Sequence, residues 1–482
     1  MSSELEPATS SEQMPRTVRA TSSGAEPVYV GMKSSAELAP SSSLTDLVDC
    51  TEGPLAPDWD AWAEILAFGA PLAGRTAYHG FRRLQPGESA VSNGAGWALH
   101  HEDWAWANIE PEPELHPVSL TDEVLTGLGR QLRNLTGPVN PMLSGGRDSR
   151  LLTAMMLKER TATGQGVDEI TAWTTSSDIG TSMEELVASK VAGTLGVRHH
   201  IVPARNEDFP RDVEDYARAV DYMASFHIWL MPVARRLASH PGTILDGLGG
   251  GVFLGGGFPD EPGLDGTTVS SARIVESRFN RLARYLEAAD DIFAPGVAEN
   301  LRERAWSDFE PVASAFADHP NGATLTAYLT RTLPGISLAP TKVLGSAQAV
   351  CMPILGDDVV AAALRVENSA KHEGVWYRDL LTKADPRLSD MATAAEMSKR
   401  RQHVRRGASR ESASWYRDLL INGPAAMLLS DRLHHADISH WQNQLAKTKP
   451  QHLLRGLAIL TLWLKEYGDR LSSVEIPFGE GC

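Results

Sequence analysis

Residues 141–150 read Pro-Met-Leu-Ser-Gly-Gly-Arg-Asp-Ser-Arg. The run Gly137-Pro-Val-Asn-Pro-Met-Leu143 predicts a strand, and Arg150-Leu-Leu-Thr-Ala-Met-Met-Leu-Lys-Glu159 continues a helix that begins near Asp148. Gly145 and Gly146 have no side chains, so backbone N–H groups can close around a phosphate chain. The helix N-terminus behind them adds partial positive charge. Ser144 and Ser149 offer hydroxyls to phosphate oxygens, and Asp148 is an oxygen ligand for Mg²⁺ held against them. The string alone also fits a serine-rich turn in which Asp148 or Ser149 caps a helix. The flanking strand and amphipathic helix favour the phosphate loop. Arg147 is either exposed or a contact to substrate, and the sequence does not choose.

Outward from this loop, strands and helices alternate. Residues 169–177 read as the next strand, 182–196 as the helix after it, and Thr243-Ile-Leu-Asp-Gly-Leu-Gly-Gly-Gly251 as a second strand running into glycines. A helical stripe over 121–135 precedes the loop. The alternation argues for an α/β domain with a mostly parallel sheet, and from about Ala272 the pattern turns mainly helical. Upstream, 59–69 reads as a helix stopped by Gly69, followed by short strands joined by Pro-Gly and Asn-Gly turns. Pro111-Glu-Pro-Glu-Leu-His-Pro117 reads as a stiff connector at a domain boundary. Residues 1–45 read as a disordered tail: 11 of the first 43 residues are serine, and Tyr29 is the only aromatic among them.

Composition narrows the function classes. A net charge of −16 over 482 residues argues against a surface that grips nucleic acid. The 3 cysteines, Cys50, Cys351 and Cys482, show no C-x-x-C spacing, which excludes a disulfide scaffold or a cysteine-rich zinc site. No apolar run is long enough to span a membrane, and the first residues lack a secretory pattern, so a cytoplasmic protein is expected. The adjacent histidines at 100/101, 199/200 and 434/435 point in different directions on strand or helix and read as surface or hydrogen-bonded residues, not metal ligands.

Between strand and helix, S-G-G-x-D-S resembles the pyrophosphate loop of ATP pyrophosphatases, and its surroundings resemble the asparagine synthetase and β-lactam synthetase branch. Ser182-Met-Glu-Glu-Leu-Val-Ala-Ser-Lys-Val-Ala192 with Leu195-Gly-Val-Arg-His-His200 is similar to D-E-x-x-x-A-x-x-V-A…L-G-x-x-H, and 246–256 to the second glycine loop. Cys351-Met-Pro-Ile-Leu-Gly-Asp357 is a weak copy of R-x-P-F-L-D, and 67–87 is like the end of the amidotransferase domain. The resemblance implies an adenine nucleotide α-hydrolase-like domain over 118–470, with a truncated amidotransferase-like remnant over 46–117. It implies Mg·ATP, a carboxylate adenylated with release of pyrophosphate, and an amine that attacks the acyl carbon. Carried over, Ser144, Gly145, Gly146, Asp148 and Ser149 cradle phosphates and metal, Leu143 and Trp173 lie near adenosine, and Gly247 and Gly249 line the second loop. Lys399 is the positional candidate for the late lysine that offsets charge on the α-phosphate.

The departures are specific. Ser2 stands where the glutaminase nucleophile would be a cysteine, so glutamine hydrolysis is not expected. Gly251 and Val252 replace the acidic pair of the second loop, with Asp246 close by in sequence. Cys351 replaces an arginine, and a thiol cannot supply a guanidinium fork. No secure Tyr–Glu base pair aligns; Tyr222 and Glu276 are the nearest candidates. The expected function is an amide-forming synthetase without glutaminase activity, acting on a small-molecule or peptide carboxylate and an amine in β-lactam-type or lasso-peptide macrolactam closure, with a peptide-binding partner protein among the possible needs. The competing expectations are a non-catalytic relative that binds a partner and an ammonia-dependent asparagine synthetase.

Overall fold

A computed structural model describes residues 16–32, 38–92, 96–114, 117–175, 182–256, 269–346, 348–371, 374–397 and 405–479. Its strands are β1 (Thr17–Arg19), β2 (Tyr29–Gly31), β3 (Phe81–Arg83), β4 (Glu88–Ser92), β5 (Trp97–His101), β6 (Val139–Pro141), β7 (Thr171–Thr175), β8 (Arg198–Val202), β9 (Thr243–Leu245) and β10 (Val350–Cys351).

The last five strands form the predicted parallel sheet. β6 pairs with β9, Pro141 opposite Leu245, and β10 pairs with the other side of β9, Cys351 opposite Leu245. β7 pairs with β8, and parallel bridges Val139–Ile170 and Met142–Trp173 join β7 to β6. The spatial order is therefore β10-β9-β6-β7-β8. The order in which strands are added changes side between β6 and β9, all strands staying parallel, and in doubly wound sheets a ligand crevice opens at that switch, beyond the carboxyl ends of the strands. Both glycine loops leave from those two ends.

The local chemistry explains where the flanking helices begin and stop. Gly146, extended at ψ 176°, is the N-cap of Arg147–Thr163, and Gly164 ends that helix at φ 70°, its N–H donating to the Arg160 carbonyl. Asp58 caps Trp59–Phe68 by accepting from the Ala61 N–H at 3.1 Å, and Gly69 stops it at φ 93° as the sequence predicted. The mainly helical second half is also found, ending in the 20-residue helix Thr448–Tyr467. No helix among the described residues is long and apolar enough to cross a membrane.

The expectation of a disordered tail over 1–45 is corrected for the part that is described. β1 pairs antiparallel with β4, β2 with β3, and Tyr29, Val30 and Leu44 are buried. Serine-rich composition hid two short apolar runs, around Val18 and Val28-Tyr-Val30, that become stable only when a distant strand offers backbone partners. Leu44 is tied down as well, its N–H donating to the Asp221 carboxylate at 3.1 Å.

The largest apolar core crosses the chain from end to end. It joins Tyr29, Trp62 and Phe68 to Leu453, Leu457 and Trp463. Trp463 sits 4.7 Å from the Trp62 ring and donates its indole N–H to the Tyr78 hydroxyl at 2.8 Å. Further along, Trp106 packs edge-on against Phe253 at 5.3 Å and donates to Asp357. Residues before 117 thus buttress the second glycine loop from behind.

Candidate active site

The first loop is a set of short-range hydrogen bonds closed by the helix start. Ser149 Oγ accepts from the Ser144 N–H at 2.9 Å and lies 3.0 Å from Ser144 Oγ, which in turn accepts from the Gly146 N–H at 3.1 Å. Serines at 144 and 149 therefore shape the turn as well as pointing hydroxyls at its mouth. The turn is held from below by Arg150, which is fully buried. Its guanidinium donates to the carbonyls of Gly145, Gly146, Met391 and Ala392 at 2.5 to 3.2 Å. Ala394 N–H also donates to the Gly145 carbonyl, so 391–397 is clamped to the loop. That segment carries a reciprocal cap: Glu396 accepts from the Thr393 N–H while Thr393 Oγ1 accepts from the Glu396 N–H. Arg147 pairs with Glu396 at 2.8 Å, so, half-exposed, it latches this segment to the loop.

Asp148 is the point where the two loops meet. Tyr377 donates its hydroxyl to Asp148 Oδ1 at 2.5 Å. A side chain at Gly250 would put its Cβ 2.2 Å from Asp148 Cγ, so only glycine allows the second loop to pass this close. Burial raises the Asp148 carboxyl above its ordinary range, opposed by the Tyr377 hydrogen bond, the Arg147 charge and the Gly251 N–H. Asp246, at the end of β9, is pushed up to about 6 by burial, while the Leu248 N–H lowers it and the charge of Asp148 raises it.

Two carboxylates that burden each other in this way cost stability once both are ionised. The sign follows from the raised value: stability contributed by protonated Asp246 is present at low pH and lost as pH rises through about 6. Asp246→Asn is expected to raise the Tm of the ligand-free protein by about 1–3 °C at pH 8. The gain disappears below the ordinary aspartate range, as calorimetric scans across pH will show.

A cavity of about 570 Å³ opens over these loops. Leu143, Ser144, Asp148 and Ser149 line it from the first loop, Gly247 and Gly249 from the second, and Trp173 from β7. Gly145 and Gly146 stand behind, Gly145 facing Ala394. Trp173 is held by its own neighbours: its indole N–H donates to Asn140 Oδ1 at 3.0 Å and its ring lies against His200. Lys399 lies outside the described residues. Tyr222 and Glu276 do not line the cavity, and Tyr222 packs against Tyr467 instead. Of the paired histidines, His199 shares a hydrogen bond with Thr174 Oγ1 at 2.7 Å and His434 with the Ala426 carbonyl. No group of three or more His, Cys, Asp and Glu is set to hold a metal among the described residues.

Three site residues escaped sequence reading. Glu184 accepts from the Gly145 N–H at 2.5 Å and lines the cavity, placing a carboxylate on a donor of the first loop. Tyr377 reaches Asp148 across 229 positions, and Arg150 reaches Met391 across 241. No local spacing signals such contacts, although Glu184 stands in the 182–192 segment already noted for its resemblance to the family motif. Gly251 lines the cavity, and a Cβ built there meets nothing within 4 Å.

A protein-family model described as asparagine synthase matches residues 128–465, well over half of the chain and all of the loops above. A search of curated proteins gives no match.

Proposed function

The chain belongs to the asparagine synthase family, whose general activity is ATP-dependent amide formation, and from that premise we propose that it adenylates a carboxylate and passes the acyl group to an amine. The observation that carries the proposal is the meeting of two glycine loops on Asp148 at the sheet's switch point, under one cavity. In this reading the sheet and loops are an adenine nucleotide α-hydrolase-like fold. The hydroxyls of Ser144 and Ser149 would meet the phosphate chain, the Gly145 and Gly146 N–H groups would exchange Glu184 and Ser144 for phosphate oxygens, and Leu143 and Trp173 would face the adenosine.

The donor set fits Mg²⁺. Asp148 and Asp246 are hard oxygen donors that would hold a divalent cation, and such a cation would relieve their mutual repulsion. Such an ion supplies charge neutralisation along the phosphates. Tyr377 keeps Asp148 oriented by its short hydrogen bond. The first helix directs its positive end at the departing pyrophosphate. Lys399 follows the clamped 391–397 segment in sequence and is proposed to offset charge on the α-phosphate. The amine is a substrate, not glutamine-derived ammonia. Among the described residues Cys351 has its thiol pushed up to about 11 by burial, and neither it nor Cys50 lines the cavity. Closure of a specialised small molecule or peptide is the process proposed, with a peptide-binding partner protein where the substrate is a peptide.

Calorimetric titration with Mg·ATP, followed by chromatography of nucleotide products with a panel of acids and amines, tests the reading. Binding and release of AMP with pyrophosphate support it; release of ADP, or no nucleotide binding with and without acids, refutes it. The open space at Gly251 favours one other reading, a relative that binds nucleotide or partner without turnover. It also yields a prediction. Gly251→Asp is expected to fold normally, because nothing obstructs its Cβ, and to tighten Mg²⁺-dependent ATP binding by about tenfold through an added charged ligand. Parallel titrations with and without Mg²⁺ measure it.

A further inference from the structure

The first loop offers two backbone donors, and they are held in different ways. Gly146 donates to Ser144 Oγ, an uncharged hydroxyl that can turn and donate in its own right. Gly145 donates to Glu184 Oε2 at 2.5 Å, and an ionised carboxylate only accepts. Glu184 stands in the first turn of the helix Ser182–Leu195, half-buried on the cavity wall.

The fit around this contact is close. A Cβ at Gly145 would lie 2.8 Å from Glu184 Oε2 and 2.4 Å from Ala394 Cβ, so the chain at Gly145 runs through a slot between the carboxylate and the clamped 391–397 segment. Helix Ser182–Leu195 packs against Ala394–Met397 as well, which fixes the backbone that carries Glu184.

The carboxylate sits where an incoming anion would be drawn. The start of Arg147–Thr163 presents the positive end of its dipole to this loop. The charge of Glu184 also reaches Arg150 beneath the loop: burial and Arg147 lower the proton affinity of that guanidinium, while Glu396 and Glu184 raise it. A carboxylate on a loop N–H at a helix start takes the electrostatic place of a phosphate oxygen. Two anions brought to one donor repel each other, so a phosphate gains the Gly145 N–H only as Glu184 gives it up. Ser144 sets no such barrier at Gly146, because its hydroxyl can donate to the phosphate that replaces it.

We propose that Glu184 is a built-in competitor of pyrophosphate: it holds the Gly145 N–H until a phosphate oxygen takes it, and retakes it as pyrophosphate leaves. This rests on the proposed function and deepens it by assigning a residue to product release. The exchange needs only a change of rotamer in a half-buried side chain, while Arg150 holds the loop backbone through the Gly145 and Gly146 carbonyls. Its effect is confined to ligands that bring an anion to the loop.

The test is metal-free calorimetric titration of inorganic pyrophosphate into the full chain, with adenosine as the uncharged control. Glu184→Gln keeps the length of the side chain and an acceptor oxygen but removes the charge, and is expected to bind pyrophosphate about tenfold more tightly than the wild type. Glu184→Asp keeps the charge but draws it back by one methylene, and a smaller gain is expected. Adenosine heat and circular dichroism should be the same in all three proteins. Pyrophosphate binding that is unchanged, weaker or absent in Glu184→Gln overturns this role of Glu184. An equal gain for adenosine overturns it too, since it would mean a reshaped loop. If the wild type gives heat with Mg·ATP, such a failure belongs to Glu184 alone. No Mg·ATP heat in the wild type or the variants would instead strike the proposed function.

Discussion

Asp148→Asn is expected to lower nucleotide turnover by about a hundred- to a thousandfold, the range seen when one preorganised electrostatic group is removed from a reacting centre. The substitution keeps shape and volume, so the close passage of Gly250 and the hydrogen bond from Tyr377 still have a side-chain oxygen to meet. What it removes is the negative charge, and with it the attraction for a divalent cation between the two loops. Heat on titration with Mg·ATP should fall sharply, whereas the melting temperature should hold or rise, because burial disfavours the ionised carboxyl in the ligand-free protein. Lost binding with retained or improved stability is a signature that a merely structural aspartate would not give. Unchanged turnover in this variant would remove Asp148 from the chemistry.

Arg150→Met should act on stability first. The methionine fills much of the aliphatic path of the arginine but takes the guanidinium donor from the carbonyls of Gly146, Met391 and Ala392, while that of Gly145 keeps the Ala394 N–H. Each unsatisfied buried group costs about 1–3 kcal/mol, and local rearrangement will recover part of the sum. A loss of about 3–5 kcal/mol is expected, as for removal of one partner from a buried charged network. Chemical denaturation followed by tryptophan fluorescence measures it. Because the same guanidinium ties 391–397 to the first loop, hydrogen exchange in that segment should speed up more than in β8. Uniform acceleration everywhere would mean that the clamp has no local role.

Three strands of the parallel sheet, β6, β7 and β9, were legible because each lies in an apolar run that leads into a loop, a pattern carried by neighbouring residues; β8, Arg198-His-His-Ile-Val202, is too polar and β10 too short to show one. The turn between β6 and the helix that follows was legible for the same reason: Ser144 through Ser149 are close in sequence, and the hydrogen bonds that shape the loop are local. Strands β1 and β2 were not legible, since a three-residue strand has no period to detect and exists only through pairing with β4 and β3. Their serine-rich setting pointed the other way.

From the sequence alone one could determine the α/β alternation, the glycine loops at the ends of β6 and β9, and the family those loops announce. Such features are set by the conformational freedom of glycine and by apolar spacing, both readable over a few residues. Only the tertiary structure decided that Tyr377 holds Asp148, that Arg150 clamps 391–397, that Glu184 sits on Gly145, and that His227 and Arg331 share a cavity wall. These contacts join residues tens to hundreds of positions apart, and their geometry comes from the packing of the whole core, which no local pattern encodes.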